Sequence, residues 1–183
     1  MEAIAGHLEE ILKLLGENPS REGLLKTPVR AAKALLDITA GYHADPLATA
    51  RKAIFDHDGS KMVIVKDIEF YSTCEHHILP FFGTVSVGYL PKGKILGLSK
   101  LARVVDAFAR RLQVQERLTG QITRLIDEAL PNDGVIVWCR AQHLCMKARG
   151  VEKQESVTTT LDYTGRFETD AALRNEFLSQ IMR

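Results

Sequence analysis

From Ser99 to Leu130 the chain reads Ser99-Lys100-Leu101-Ala102-Arg103-Val104-Val105-Asp106-Ala107-Phe108-Ala109-Arg110-Arg111-Leu112, then Gln113-Val114-Gln115-Glu116-Arg117-Leu118, and on through Ile122, Leu125, Ile126 and Leu130. Leu101, Val104, Val105, Phe108 and Leu112 recur at helical intervals, as do Leu118, Ile122, Leu125, Ile126 and Leu130, so two consecutive amphipathic helices are expected, the first capped by Ser99. Strand patterns lie on either side. Met62–Tyr71 is rich in Val, Ile and aromatics, and Phe81, Val85, Val87 and Tyr89 alternate with Thr84, Ser86 and Gly88 before Pro91 to Gly93 ends the run. Beyond the turn at Pro131 to Gly134, Val135–Arg140 and Ser156–Tyr163 read as two more strands. Strands in pairs around a helix pair predict an α+β fold.

Outward from this centre, Leu173, Phe177 and Ile181 predict a terminal helix. Toward the N-terminus, Ile4, Leu8, Ile11, Leu12 and Leu15 predict a helix stopped by Gly16, Asn18 and Pro19. Thr27 before Pro28 reads as a cap and first-turn pair for a helix through Ala40, and the Ala-rich stretch from Pro46 to Ile54 as a third. The chain shows no repeat, low-complexity run or Gly/Ser linker. The expected boundary therefore falls near Asp56, between a helical extension, 1–56, and a sheet-bearing domain, 57–183.

The chain has 183 residues, 45% hydrophobic, with 24 Lys plus Arg against 23 Asp plus Glu. So even a balance gives no field for nucleic acid, and an anionic ligand must meet a local basic cluster. Acidic residues at Glu2, Glu9 and Glu10 are foreign to a secretory signal, and no run approaches the roughly 20 apolar residues of a membrane helix, so a cytoplasmic protein without membrane attachment is expected. Three cysteines, an odd number, argue against a disulfide framework and leave thiols or metal ligands.

Cys74-Glu75-His76-His77 sets a thiolate donor and two imidazoles within four residues, and Gln142-His143-Leu144-Cys145 brings a second thiolate with a His two positions earlier. Cys74, one His of the pair and Cys145 would give three protein ligands and an open fourth position, the arrangement of a catalytic zinc. Zinc lowers the pKa of bound water to about 7, and unligated His residues beside it move protons, so hydrolysis is the natural reaction class. Buried cysteine is also commonplace packing, and Cys139, in the apolar run Val135-Ile136-Val137-Trp138, is assigned to it. Lys100 and Arg103 share the start of a helix, where the dipole favours an anion, although such a pair is often only a solvated face. Glu116 suits the amino and imino edge of guanine, or is an ordinary surface carboxylate.

Taken together, Cys74-Glu75-His76-His77, Gly97-Leu98-Ser99-Lys100, Gln113-Val114-Gln115-Glu116-Arg117 and His143-Leu144-Cys145-Met146-Lys147-Ala148-Arg149-Gly150 resemble the zinc-dependent GTP cyclohydrolase I family, with Arg21 to Pro28 resembling its N-terminal signature. The resemblance implies the tunnelling fold, a four-stranded antiparallel sheet with two helices inserted between strands 2 and 3, and a homodecamer with active sites between subunits. It makes Cys74, His77 and Cys145 the zinc ligands, and His76 and His143 proton-transfer residues. Glu116 would anchor guanine with Gln115 beside it, Lys100, Arg103 and Arg149 would hold the triphosphate, and Ser99 would assist the sugar rearrangement. The implied reaction has His143 protonating N7 of GTP while zinc-activated water attacks C8. Loss of C8 as formate, an Amadori-type rearrangement and ring closure then give 7,8-dihydroneopterin triphosphate. A related pterin or deazapurine enzyme would not require the cations at 100 and 103. A nucleoside deaminase would show a His-x-Glu and Pro-Cys-x-x-Cys pattern, which is missing. A zinc-stabilised scaffold would fill all four positions on the metal.

Overall fold

The computed structural model describes residues 1–59 and 61–182. They form two compact units, Met1–Ala40 and the chain from Gly41 onward. In the first, helices α1 (Glu2–Leu14) and α2 (Thr27–Ile38) pack on each other. Thr27 is the first residue of α2 rather than its cap, and Pro28 lies in the first turn, where its missing N–H has no partner to lose.

In the second unit the elements follow as α3 (Pro46–Arg51), β1 (Ile54–Asp56), β2 (Val63–Cys74), β3 (Pro80–Pro91), β4 (Lys94–Leu96), α4 (Leu98–Ala109), β5 (Leu112–Gln113), α5 (Gln115–Ala129), β6 (Asn132–His143), α6 (Leu144–Lys147), β7 (Thr158–Tyr163), α7 (Arg166–Thr169) and α8 (Ala171–Ile181). The α+β class is as expected. The sheet differs from a four-stranded one: its order is β5-β2-β3-β6-β7, four antiparallel strands plus the two-residue β5, which runs parallel to the end of β2 through Thr73↔Leu112 and Cys74↔Gln113. Both helices of the pair lie between β3 and β6.

Three local expectations are corrected. Helix α4 starts at Leu98 with Gly97 as its cap, so Ser99 sits inside the first turn. The cap is fixed from outside, because Gly97 N–H donates to Ala53 O and Leu96 N–H to the Tyr89 hydroxyl. Leu112 leaves the helix for β5: the chain turns at Arg110, and Gln113 Nε2 donates to the Phe108 carbonyl, satisfying an end that a longer helix would have covered. Similarly α3 stops before Ile54, which pairs with Leu96 in a small β1–β4 ribbon.

Alternation along the long strands builds the core. Phe81, Val85, Val87 and Tyr89 of β3 and Val135, Val137 and Cys139 of β6 face the helix pair, meeting Leu101, Val104 and Val105 of α4 and Leu118, Ile122 and Ile126 of α5. Ile136 and Trp138 point the other way, against Phe177 and Ile181 of α8. Each such side chain contributes about 1.5–3 kcal/mol through burial. The β3–β6 register, from Phe81↔His143 to Pro91↔Asn132, ends beside the chemistry-bearing residues.

Candidate metal centre and active site

Strand β2 carries Cys74 to the sheet's end, where the chain reverses tightly: Cys74 N–H donates to Leu79 O, and Ile78 N–H to Cys74 O, each at 2.8 Å. Closing this loop holds Ile78 at φ +55°, a conformation that β-branched residues rarely adopt. The loop is pinned to the helix pair as well. Glu75 N–H donates to Gln113 O at 3.0 Å, and the Glu75 carboxylate receives both Arg117 guanidinium nitrogens, which holds its carboxyl below the usual range.

The reversal brings His77 Nδ1 to 3.8 Å from Cys74 Sγ. Strand β6 ends at His143 and the single-turn α6 begins, placing Cys145 so that all three donor atoms lie within 4.8 Å of one another. Ligand atoms on a zinc tetrahedron stand about 3.3–3.8 Å apart, so small shifts close the group onto an ion. Cys74 is buried, Cys145 half-buried and His77 exposed, so the group opens on one side. Burial, then the charge of neighbouring Cys74, pushes the Cys145 thiol up. Two adjacent thiolates repel, and a divalent cation between them removes that penalty. The donor set, two sulfurs and one imidazole, fits zinc with a fourth position left over.

His143 adjoins this group. Its ring stacks on Phe81 with centroids 4.7 Å apart and planes 2° from parallel, and its Nε2 lies 2.8 Å from Gln115 Oε1. Burial pushes the imidazole pKa down, opposed by the Glu116 carboxylate in the first turn of α5. Glu116 is exposed, whereas Gln115 is buried. His76 is exposed, its ring 6.2 Å from that of His77. Arg149, just beyond α6, is exposed and its charge favours the Cys145 thiolate.

Ser99, Lys100 and Arg103 are placed elsewhere. The chain leaves β3 at Pro91, the end opposite Cys74, and α4 leads back toward β5, which pairs with Thr73 and Cys74, so Ser99, Lys100 and Arg103 stand in the half of α4 away from that pairing. One chain thus gathers Cys74, His77, Cys145, His76, His143, Glu116 and Arg149 at one end of the sheet, while Ser99, Lys100 and Arg103 belong to the first half of α4.

Cys139 is fully buried on the core face, and desolvation raises its thiol pKa to about 12. An unfolded chain ionises near 9.0, so the stability tied to this thiol is complete below that pH and is lost as pH rises toward 12. Cys139→Ala is expected to keep metal and turnover, to cost about 1–2 kcal/mol near neutrality and to weaken the alkaline loss. Zinc content and urea unfolding at about pH 8 and about pH 10 check this.

Sequence reasoning did not find the Arg117–Glu75 pair or the role of Phe81. Arg117 stands inside a motif quoted for its neighbours, and the stacking of Phe81 on His143 is a cross-strand pairing with no local signal.

A family model described as GTP cyclohydrolase I matches residues 4–182. GTP cyclohydrolase 1 of Porphyromonas gingivalis is 60% identical over 177 residues, covering 97% of this chain and 91% of that protein. The proteins of the same name from Parabacteroides distasonis and Bacteroides fragilis are 59% and 56% identical over 181 residues, covering 98% and 99% of this chain and 92% and 93% of theirs. With residues 4–182 matched, and the Cys74, His77 and Cys145 group inside that match, the chain belongs to the GTP cyclohydrolase I family.

Proposed function

We propose that this chain is a zinc-dependent GTP cyclohydrolase I of the tunnelling fold, which hydrolytically opens the guanine imidazole ring, releases C8 as formate and forms 7,8-dihydroneopterin triphosphate. The observation that carries the reading is the convergence of Cys74, His77 and Cys145 donor atoms beside His143, in a chain of this family. On this reading 57–183 performs the chemistry, 1–56 is a mainly helical extension that ends in β1, and the enzyme works in the cytoplasm as the first step toward reduced pterins.

Bound zinc supplies a Lewis acid that brings the pKa of water to about 7. Cys74, His77 and Cys145 would hold it. His143 delivers a proton to N7 of GTP, which makes C8 electrophilic toward water. Glu116 accepts hydrogen bonds from the amino and imino hydrogens of guanine and fixes the ring. After a second hydrolysis frees formate, His76 and Ser99 move protons in the sugar rearrangement, and ring closure expels water. Lys100, Arg103 and Arg149 bind the triphosphate; each charge-assisted contact is worth about 1.5–3 kcal/mol. Ser99, Lys100 and Arg103 stand on a different element from the metal group, and active sites shared between subunits of a homodecamer would let one chain's α4 serve another chain's metal.

Lys100→Ala and Arg103→Ala are expected to raise KM for GTP by about 10-fold or more each, with zinc content unchanged. Steady-state kinetics with metal analysis checks this, and an unchanged KM would remove these residues from the triphosphate site. The reading as a whole is tested by incubating zinc-loaded protein with GTP and assaying formate and the fluorescent oxidised neopterin. Both products should appear together and vanish on chelation. Formate without neopterin would mean ring opening alone, and neither product from a folded, metal-bound protein would contradict the function.

A further inference from the structure

The imidazole of His143 is held in two ways. Its face lies on Phe81, 4.7 Å between centroids and 2° from parallel, which fixes the ring plane. Rotation within that plane is fixed by Gln115, whose Oε1 is 2.8 Å from Nε2. Which of these atoms carries the hydrogen follows from the other bonds of Gln115.

The Gln115 side-chain nitrogen lies 3.1 Å from Cys139 O, 3.1 Å from Thr158 O and 3.2 Å from Thr160 Oγ1. Main-chain carbonyls only accept, so the atom facing them is the NH2 group. A flipped amide would set its oxygen against two carbonyl oxygens at a side chain only 1% exposed, a burial without compensation. The third partner agrees. Thr119 Oγ1 donates its single hydrogen to Gln115 O at 2.8 Å, so in the 2.6 Å contact between Thr119 and Thr160 the donor is Thr160. Thr160 Oγ1 is then left to accept from Gln115. With its nitrogen committed to β6 and β7, Gln115 presents only an acceptor to His143, and Nε2 must carry the hydrogen.

We infer that Gln115 is a positioning residue that holds His143 in the Nε2–H tautomer, and that it serves this imidazole rather than the guanine edge. The consequence for turnover rests on the proposed reaction at GTP: Nδ1 is the nitrogen that meets the substrate. The proton it passes to N7 is first taken up from solvent to give the imidazolium, which keeps Nε2–H on Gln115 and returns to this tautomer. Thr160 and the two carbonyls act one step further back, by orienting the amide.

Neutron diffraction from the deuterated, zinc-loaded protein, about two pH units above the ordinary histidine pKa, reads the hydrogens directly. Expected are a deuteron on His143 Nε2 directed at Gln115 Oε1, and deuterons on Gln115 Nε2 directed at the Cys139 and Thr158 carbonyls. A deuteron on Nδ1 with none on Nε2 would overturn the inference. Kinetically, Gln115→Leu should lower kcat about 100-fold, the low end of what a positioned proton donor contributes, with KM for GTP within about threefold. Thr160→Val should lower the same parameter by about 10-fold. A Gln115→Leu enzyme with raised KM and unchanged kcat would put the side chain on guanine instead and sink the proposal. The neutron map needs no variant, so it stands even if Gln115→Leu misfolds. Failure of the GTP reading shows separately, as wild-type protein with the Nε2 deuteron in place and no turnover.

Discussion

Cys145→Ala is expected to lose bound zinc and, with it, about 10³-fold or more of GTP-dependent formate release. Cys74 and His77 remain 3.8 Å apart on their own loop, but two donors on one side of an ion do not complete a site, and α6 offers no replacement at 145. Losing the ion removes a Lewis acid worth several kcal/mol of transition-state stabilisation, and each 1.36 kcal/mol is tenfold in rate. The fold should survive, since Cys145 only packs against the edge of the main core cluster and lies outside the strands. Zinc content, formate release and circular dichroism separate the effects. A zinc-free Cys145→Ala protein at wild-type rate would contradict the mechanism, and one that unfolds would turn the site into a structural one.

Gly83→Ala should be among the most destabilising single-methyl additions in the chain, at about 3 kcal/mol. Gly83 lies on β3 opposite Ala141 of β6, and a Cβ there would stand 1.9 Å from Arg140 O and 2.7 Å from Ala141 Cα. Both are backbone atoms, so no side chain can swing aside, and the strands must part. This same pairing sets Phe81 against His143 two residues on, so stability and turnover should fall together. Gly6→Ala is the contrast: Gly6 lies within α1, its added methyl meets nothing within 4 Å, and it should be neutral or stabilising by up to about 1 kcal/mol. Thermal unfolding of both variants checks the pair. Equal midpoints would contradict the packing argument.

These expectations mark what was legible in the sequence. The alternation of Val85, Val87 and Tyr89 and the helical spacing of Leu118, Ile122 and Ile126 express burial directly, and both survive in the structure because one face of each element lies on the core. Leu112 misleads for the same reason: it stands four residues after Phe108, where a helix would bury it, yet the helix end is decided by the bond from Gln113 to the Phe108 carbonyl. Strand β5 is too short to show a period, and its partner Cys74 lies some forty residues earlier, so nothing local announces it. Among the chemistry-bearing residues, Cys74, His77 and Cys145 stand out by residue type, because few side chains bind soft metals. Gln115 does not. Its partners, Cys139, Thr158 and Thr160, are 24 to 45 residues away and become visible only when β6 and β7 are laid beside α5.

The central claim, that this chain opens GTP at a metal held by Cys74, His77 and Cys145, is tested most directly by zinc reconstitution. Chelated protein is titrated with zinc while formate release from GTP is followed. The rate should climb linearly from near zero and break at about one zinc per chain, with a Cys145→Ala sample flat throughout. Full-rate formate release before any zinc is added would contradict the claim.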